Sequence, residues 1–526
     1  MDTHFDFIVI GSGFGGSVSA MRLSEKGYKV AVLEAGKRFK AEDFPKTNWN
    51  LRKYAYMPKL GMKGFMKYTL LPHVMILSGA GVGGGSLVYC NTLYVPPDSY
   101  FNNKRWAHLA DWKSKLAPHY ETAKKMLGVT PSPFTGVGDL QLKEIAEELG
   151  RGDTFVNTPV GIYFGQPGID APDPYFGGEG PDRTGCNFCG GCMVGCRNNS
   201  KNTLDKNYLY FAEKNGAVIH PEHQVTDIRP LPGGGYEIDT QKTGALFFKH
   251  RKTFTTKGVV LSGGVIGTVK LLMSCKQRGS LPNVSDQIGR YVCTNSESIV
   301  GATARKKGVD YSEGIAISAS VHPDDHTHME IVRFPKGSDF NSLLSVYLTG
   351  EGTRLTRPLK FLGNMFCHPI DFFRAMWPFG WAEKSNILLV MQTLESYIHL
   401  KPRGRKNIRL SSEMDKDNTI PTYIPLANEV AKKLADKMDG IPQSSLNEVL
   451  LNVPVTAHIL GGASIGANPD EGVIDRENKL FGYDNFYVCD GSMIPANLGV
   501  NPSLTVTAMS EYAMSHIPEK EKHPDF

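Results

Sequence analysis

Nowhere in the 526 residues is there an apolar run approaching the ~18 residues that span a bilayer. The opening residues, MDTHFDFIVIGSG, pass straight into a strand-like run with no basic segment, apolar stretch or cleavage site. No secretory leader is read there, and the expected location is the cytoplasm. Charge of one sign is also missing: 58 Lys and Arg against 53 Asp and Glu leave +5, and no basic run would track a phosphate backbone, which excludes a nucleic-acid partner. Cysteine is sparse and odd in number, nine in all, yet four crowd into TGCNFCGGCMVGC at Cys186, Cys189, Cys192 and Cys196. They stand too close for an ordinary disulfide framework, and in a reducing compartment they are expected as thiols or metal ligands.

What the chain does have is apolar content of 41%, enough to bury a sizeable core in two or more domains or one large discontinuous one, and 56 glycines gathered in short clusters. The first cluster follows the apolar run Phe5 to Ile10. It reads Gly11-Ser-Gly13-Phe-Gly15-Gly16 and opens an amphipathic stretch from Ser17 to Lys26. Strand, glycine turn and helix make a pyrophosphate site, because the glycines allow close backbone approach and the helix start offers unpaired N–H groups. A second strand, Lys29 to Leu33, ends in Glu34, about 20 residues on, where a carboxylate accepts from ribose hydroxyls. At the other end, Asn485 to Val488 reads as a buried strand leading to Asp490-Gly491, and Asn501-Pro502 as a turn feeding a helix. An Asp at a strand end beside a helix N-terminus suits the phosphate and ribityl part of a flavin.

These segments, with His458-Ile-Leu-Gly461-Gly462, Gly81-Val-Gly-Gly-Gly-Ser86, Lys201-Asn-Thr203 and Leu261-Ser-Gly-Gly-Val-Ile-Gly267, resemble the glucose-methanol-choline (GMC) oxidoreductase family, in its cholesterol oxidase-like branch. The resemblance spans nearly the whole chain. It implies an α/β fold: a Rossmann-like FAD-binding domain with a discontinuous α+β substrate domain on a mostly antiparallel sheet. The FAD-binding parts are expected at 1–98, 181–295 and 451–526, and the substrate-side parts at 99–180 and 296–450.

By the same resemblance, Gly11, Gly13, Gly15, Gly16 and Glu34 bind the ADP part of FAD. Gly81, Gly84, Gly85 and Ser86 pass along the pyrophosphate and isoalloxazine, Asn91 lies next to them, and Val225 meets the adenine. Asp490, Gly491, Asn501 and Pro502 complete the cofactor site. His458 handles the substrate hydroxyl proton and Asn501 orients substrate and flavin. The pairing has a chemical basis, since an alcohol carbon releases hydride readily only as its oxygen loses a proton, and an imidazole titrates near working pH. Glu395, at the end of an apolar strand, reads either as a base that moves a proton within a steroid-like substrate or as an exposed strand-end residue. Tyr89-Cys90-Asn91-Thr92 departs from the small Asn-Gly-Gly segment of the family's oxidases, placing bulk and a thiol near the flavin.

The cysteine spacing C-x-x-C-x-x-C-x-x-x-C approaches the bacterial ferredoxin run but lacks its proline, with Arg197 in that place. An iron-sulfur cluster, a zinc site and metal-free thiols all remain open. The aromatic stretch Phe361 to Trp381, preceded by Arg354, Arg357 and Lys360, and the mixed stretch Tyr54 to Met75 read either as a surface for peripheral membrane contact or as a lid or packed helix. The expected substrate is a hydrophobic alcohol or steroid, because a sugar site needs many convergent polar groups. Oxygen or another electron acceptor would reoxidise the flavin. The other readings are an FAD dehydrogenase using an iron-sulfur or external acceptor, a ketosteroid-type desaturase or reductase, and a low-turnover flavin-binding protein that docks on membranes.

Overall fold

The structure is a computed structural model that describes residues 2–404 and 408–526. Its first sheet is seven-stranded. His4–Ile10 lies at its centre, parallel to Val30–Leu33 on one side and to Lys252–Leu261 on the other. Phe7, Ile8 and Val9 have no exposed surface, which explains why this strand reads as a continuous apolar run and not as an alternating one. Val218–His220 extends the parallel part, Phe486–Val488 pairs in parallel with Lys252–Leu261, and Tyr236–Lys242 and His223–Pro230 close one edge as an antiparallel meander.

The first helix, Phe14–Glu25, starts inside the glycine cluster, three residues earlier than its amphipathic pattern implies, with extended Gly13 as its N-cap. Gly15 explains how the helix can lie so close: a Cβ there would stand 1.7 Å from the carbonyl oxygen of Cys489. The C-terminal helix Ser503–Ser515 packs against both Phe14–Glu25 and Trp112–Leu127, and Tyr120 bonds Thr505 across the second contact at 3.0 Å.

The second sheet is also seven-stranded and wholly antiparallel, in the order Ser345–Tyr347, Gly440–Ser445, Ser298–Ala304, Ser385–Gln392, Thr327–Val332, Ile317–Val321 and Val156–Asn157. Pro425–Lys437 and Val137–Glu148 cover one face with a core that includes Leu388, Val390, Ile331 and Leu434. A small third sheet joins the hairpin Met66–Leu71 and Val74–Gly79 to Val455–Thr456, just before His458.

The stretch Phe361 to Trp381 forms two helices, Thr356–Cys367 and Pro369–Ala375. Leu355, Leu359, Phe366, Ile370, Phe373, Trp377 and Phe379 are each more than half exposed, so this is not a helix packed inside the protein. Tyr54 to Met75 divides: Tyr54, Phe65 and Met66 join a buried aromatic cluster with Phe39 and Phe44, while Leu60 and Leu70 face outward. Among the described residues, no helix is long and apolar enough to cross a membrane.

Candidate functional site

Two glycine loops face each other over the first sheet. Gly81, Gly83 and Gly84 all have positive φ, and a Cβ on Gly84 would lie 2.6 Å from the Cα of Gly13. A Cβ on Gly13 would meet no protein atom closer than 4.0 Å, so the space at the helix start is open. Glu34 clips the loops together. Its Oε2 accepts from Ser12 N (3.1 Å) and Ser12 Oγ (2.7 Å), and its Oε1 accepts from Gly36 N (2.7 Å) and Gly81 N (3.3 Å). A ribose diol at this carboxylate would share it with those donors. Ser86 is held within the protein, donating to Gly83 O at 2.7 Å and accepting from Leu204 N at 3.1 Å.

Asn91 is left-handed at φ 72 and buried, and neither polar atom of its carboxamide has a partner. Such an orphaned donor and acceptor indicate a missing polar ligand. Val225 is half-buried at a bulge in the meander. Asp490 accepts from Thr268 Oγ1 (2.5 Å) and Ser492 N (2.8 Å), tying the end of Phe486–Val488 to the helix Gly264–Arg278, and burial raises its carboxyl above the usual range. Gly491 O accepts from Gly461 N (2.9 Å), and Pro502 caps Ser503–Ser515. An open helix start, close-approach glycines, and the orphaned Asn91 fit a flavin dinucleotide held along these loops.

The structure brings His458 and Asn501 to one buried polar cluster and adds two carboxylates to it. His458 Nδ1 meets Glu297 Oε1, and Glu297 Oε2 accepts from Ala457 N at 2.6 Å. Asn501 Nδ2 donates to Glu330 Oε2 at 3.3 Å. Asn501 Oδ1, Glu330 Oε1 and both ring nitrogens of His328 are buried without a partner among the described residues. Burial alone would lower the His458 imidazole; the Glu297 carboxylate, through its charge and hydrogen bond, and Glu330 outweigh that and raise it above the ordinary histidine value. Burial pushes the Glu330 carboxyl up to about 7 and the charge of Glu297 adds to the rise, against the pull of Asn501 and His458. His328 lies edge-on to Tyr94 at 4.9 Å and stacks on His322 at 4.6 Å, and burial holds it well below its ordinary value.

Glu395 stands elsewhere. Lys104 Nζ pairs with it at 2.9 Å and Asn103 Nδ2 reaches it at 3.5 Å, while the carboxylate beside the His458 and Asn501 pair is Glu330. Sequence reasoning passed over Glu330 and Glu297. For Glu330 a signal existed: Thr327–Val332 reads THMEIV and is buried at every position, so its His and Glu are ionisable groups where a strand is otherwise apolar.

The cysteine segment corrects an expectation. Among the described residues, no group of three or more His, Cys, Asp or Glu side chains could hold a metal ion, so the iron-sulfur and zinc readings find no site. The turn Gly191–Val194, which carries Cys192, is bracketed by Gly190 and Gly195, both at positive φ. Cys186 packs beside Val160, Ile162 and Ile315, whereas Cys189 is exposed. Burial pushes Cys186 up to about 12 and Cys192 up to about 11, and raises Cys189, so these are neutral thiols and not reactive thiolates. The turn has a structural task instead. Buried Lys201 donates to the carbonyls of Cys192 (2.9 Å), Tyr89 (2.8 Å) and Leu87 (3.2 Å), joining it to the end of the Gly81 loop. Tyr89 lies edge-on to Phe14 at 5.4 Å, and Cys90 is packed against the second sheet's inner cluster.

GMC oxidoreductase family models match residues 180–288 and 408–510, and a model of an NAD(P)-binding Rossmann-like domain matches residues 9–56. A cholesterol oxidase of Acinetobacter baumannii is 47% identical, over 98% of this chain and 95% of its own length. A cholesterol oxidase of Mycobacterium tuberculosis is 47% identical over 99% of this chain and 92% of its own. A solved formate oxidase superposes with a TM-score of 0.65 at 15% identity, covering 100% of this chain and 99% of that one, a likeness of fold.

Proposed function

As a member of the GMC oxidoreductase family, in its cholesterol oxidase-like branch, this chain is an FAD-dependent alcohol oxidoreductase, and we propose that it oxidises a hydrophobic, sterol-like secondary alcohol with oxygen as electron acceptor. One observation carries this reading: His458, Asn501 and Glu330 converge in one buried cluster with unpartnered acceptor atoms on Asn501 and Glu330. A compact buried polar cluster suits a substrate with one hydroxyl, and the sterol class follows the two cholesterol oxidase relatives.

Bound FAD would supply the two-electron acceptor that no side chain can provide. His458 takes the hydroxyl proton on the ring nitrogen that Glu297 leaves free. Asn501, its NH2 group held on Glu330, packs beside the reacting carbon and helps to keep it in a reactive pose. Glu330 inherits the role first read for Glu395, a base that moves a proton along the carbon skeleton beside the newly formed ketone. A carboxyl that titrates near neutrality can both accept and return that proton.

The exposed apolar face of Thr356–Cys367 and Pro369–Ala375 is proposed to rest on a lipid surface from which such a substrate is drawn. Arg354, Lys360 and Arg374 lie among its apolar side chains and suit anionic headgroups. The functional reading is tested by peroxide release with a 3-hydroxysterol, a straight-chain primary alcohol and a sugar. The expected order is sterol first, with peroxide in step with ketone. Ketone formation only with an artificial acceptor would remove oxygen from the account, and preference for the sugar would remove the substrate class.

A further inference from the structure

We propose that the turn Thr294-Asn-Ser-Glu297 is the positioning device for both catalytic loops, and that Glu297 determines which nitrogen of His458 meets the substrate. The proposal rests on the reading of His458 as acceptor of the hydroxyl proton, and assigns the groups behind that residue.

The turn holds the two loops separately. On the His458 side, Thr294 O accepts from Thr456 Oγ1 at 2.9 Å, and that same Oγ1 accepts from His458 N at 2.9 Å. Glu297 then takes Ala457 N and His458 Nδ1, one on each carboxylate oxygen. On the Asn501 side, Asn295 Oδ1 accepts from Leu498 N (3.1 Å) and Gly499 N (2.8 Å), and Asn295 Nδ2 donates to Val500 O (2.9 Å). Asn295 N donates to Asn497 Oδ1 at 2.8 Å. Six side-chain hydrogen bonds plus the His458–Glu297 contact therefore connect Thr294, Asn295 and Glu297 to the two loops that carry the chemistry.

The backbone carries the same sign. Asn295 and Ser296 are consecutive non-glycine residues at φ 60 and 46, in the left-handed region. Strain of this kind persists where the surroundings over-determine it, and it gathers at functional sites. The turn is buried throughout, and Glu297 has no exposed side-chain surface.

With Nδ1–H given to Glu297, Nε2 of a neutral His458 is the acceptor that faces the site. When the hydroxyl proton moves from the substrate oxygen to Nε2, the Nδ1 proton stays in place, and the imidazolium forms against a buried carboxylate. The titratable groups that face His458 are Glu297, Glu330 and His328. Of these, Glu297 alone bonds the ring, so Glu297 makes it a stronger base in a place where burial alone would make it a weaker one.

The test uses the FAD-loaded protein with 15N-labelled histidine. In Glu297→Gln the NMR titration midpoint of His458 is expected to fall by about 1–3 on the pH scale, and the ascending limb of kcat/KM to move to lower pH with it. The maximal rate of anaerobic flavin reduction is expected to fall at least ten-fold. Glu297→Asp, which keeps the charge, is expected to restore most of the midpoint; it carries the test alone if the Gln variant does not fold. A midpoint and pH limb unmoved in a Gln variant that keeps its flavin absorbance would overturn the proposal, as would an Asp midpoint no higher than that of the Gln variant. His458→Ala separates the two layers: if it reduces flavin at the parental rate, the reading of His458 itself fails. If it is inactive while Glu297→Gln is unshifted, only the role of Glu297 fails.

Discussion

Glu330 illustrates how one residue links chemistry to stability. Its carboxyl ordinarily titrates at 4.5 and in the fold at about 7, so the folded protein favours the neutral acid. The contribution to stability therefore turns unfavourable as pH rises from 4.5 and reaches its full size above 7, about 3 kcal/mol. Glu330→Gln removes that dependence and keeps an acceptor for Asn501. Denaturant unfolding of the two proteins should show the variant gaining on the parent by about that amount between pH 5 and pH 8; an equal gap at both pH values would contradict the raised carboxyl. Among residues, His458 and Asn501 were singled out through family resemblance, and the fold brings them to one cluster. Glu297 and Glu330 were not singled out, because their partners lie 161 and 171 positions away. Glu395 had two readings for a local reason: an acidic residue ending an apolar strand looks alike whether it faces a cavity or pairs, as here, with Lys104.

Among elements, the two glycine positions of the first helix make opposite predictions. Gly15→Ala would drive a Cβ into Cys489 O and should cost several kcal/mol or prevent folding. Gly13→Ala meets no protein atom closer than 4.0 Å and should leave the melting temperature of the FAD-free protein unchanged while weakening FAD binding about ten-fold or more. Equal effects in calorimetry and FAD titration would show that the open space beside Gly13 is not where the cofactor lies.

The helices Thr356–Cys367 and Pro369–Ala375 make a third prediction. Replacing Phe366 and Trp377 by Ser should reduce sedimentation with anionic vesicles several-fold and leave turnover of detergent-dispersed substrate intact, because both side chains already face outward. Composition marked this segment but could not say which way the apolar faces turned. The cysteine segment shows the same limit from the other side. Its spacing approaches a cluster-binding run, yet among the described residues no group of three or more His, Cys, Asp or Glu side chains could hold a metal ion. Cys189→Ser is accordingly expected to leave the flavin spectrum and the turnover rate unchanged, as measured by absorbance and peroxide release.

At the scale of the whole molecule, the fold was legible at its nucleotide-binding end, because a strand buried on both faces, a glycine turn and an acid at fixed distance are local patterns. The antiparallel sheet was legible mainly through family resemblance, since its seven strands come from widely separated stretches that no periodicity links. Its strand Thr327–Val332 supplies Glu330, while the loops at 456–458 and 497–501 supply His458 and Asn501, so this buried polar cluster exists only when both parts of the chain are in place. The most direct measurement of the central claim is the single-turnover, oxygen-free reduction of the flavin by a sterol in the parent and in His458→Ala. The account predicts a rate at least about a hundred-fold lower in the variant, with FAD still bound and the fold intact by melting temperature. Reduction of the variant's flavin at the parental rate would contradict the placement of the proton chemistry on His458.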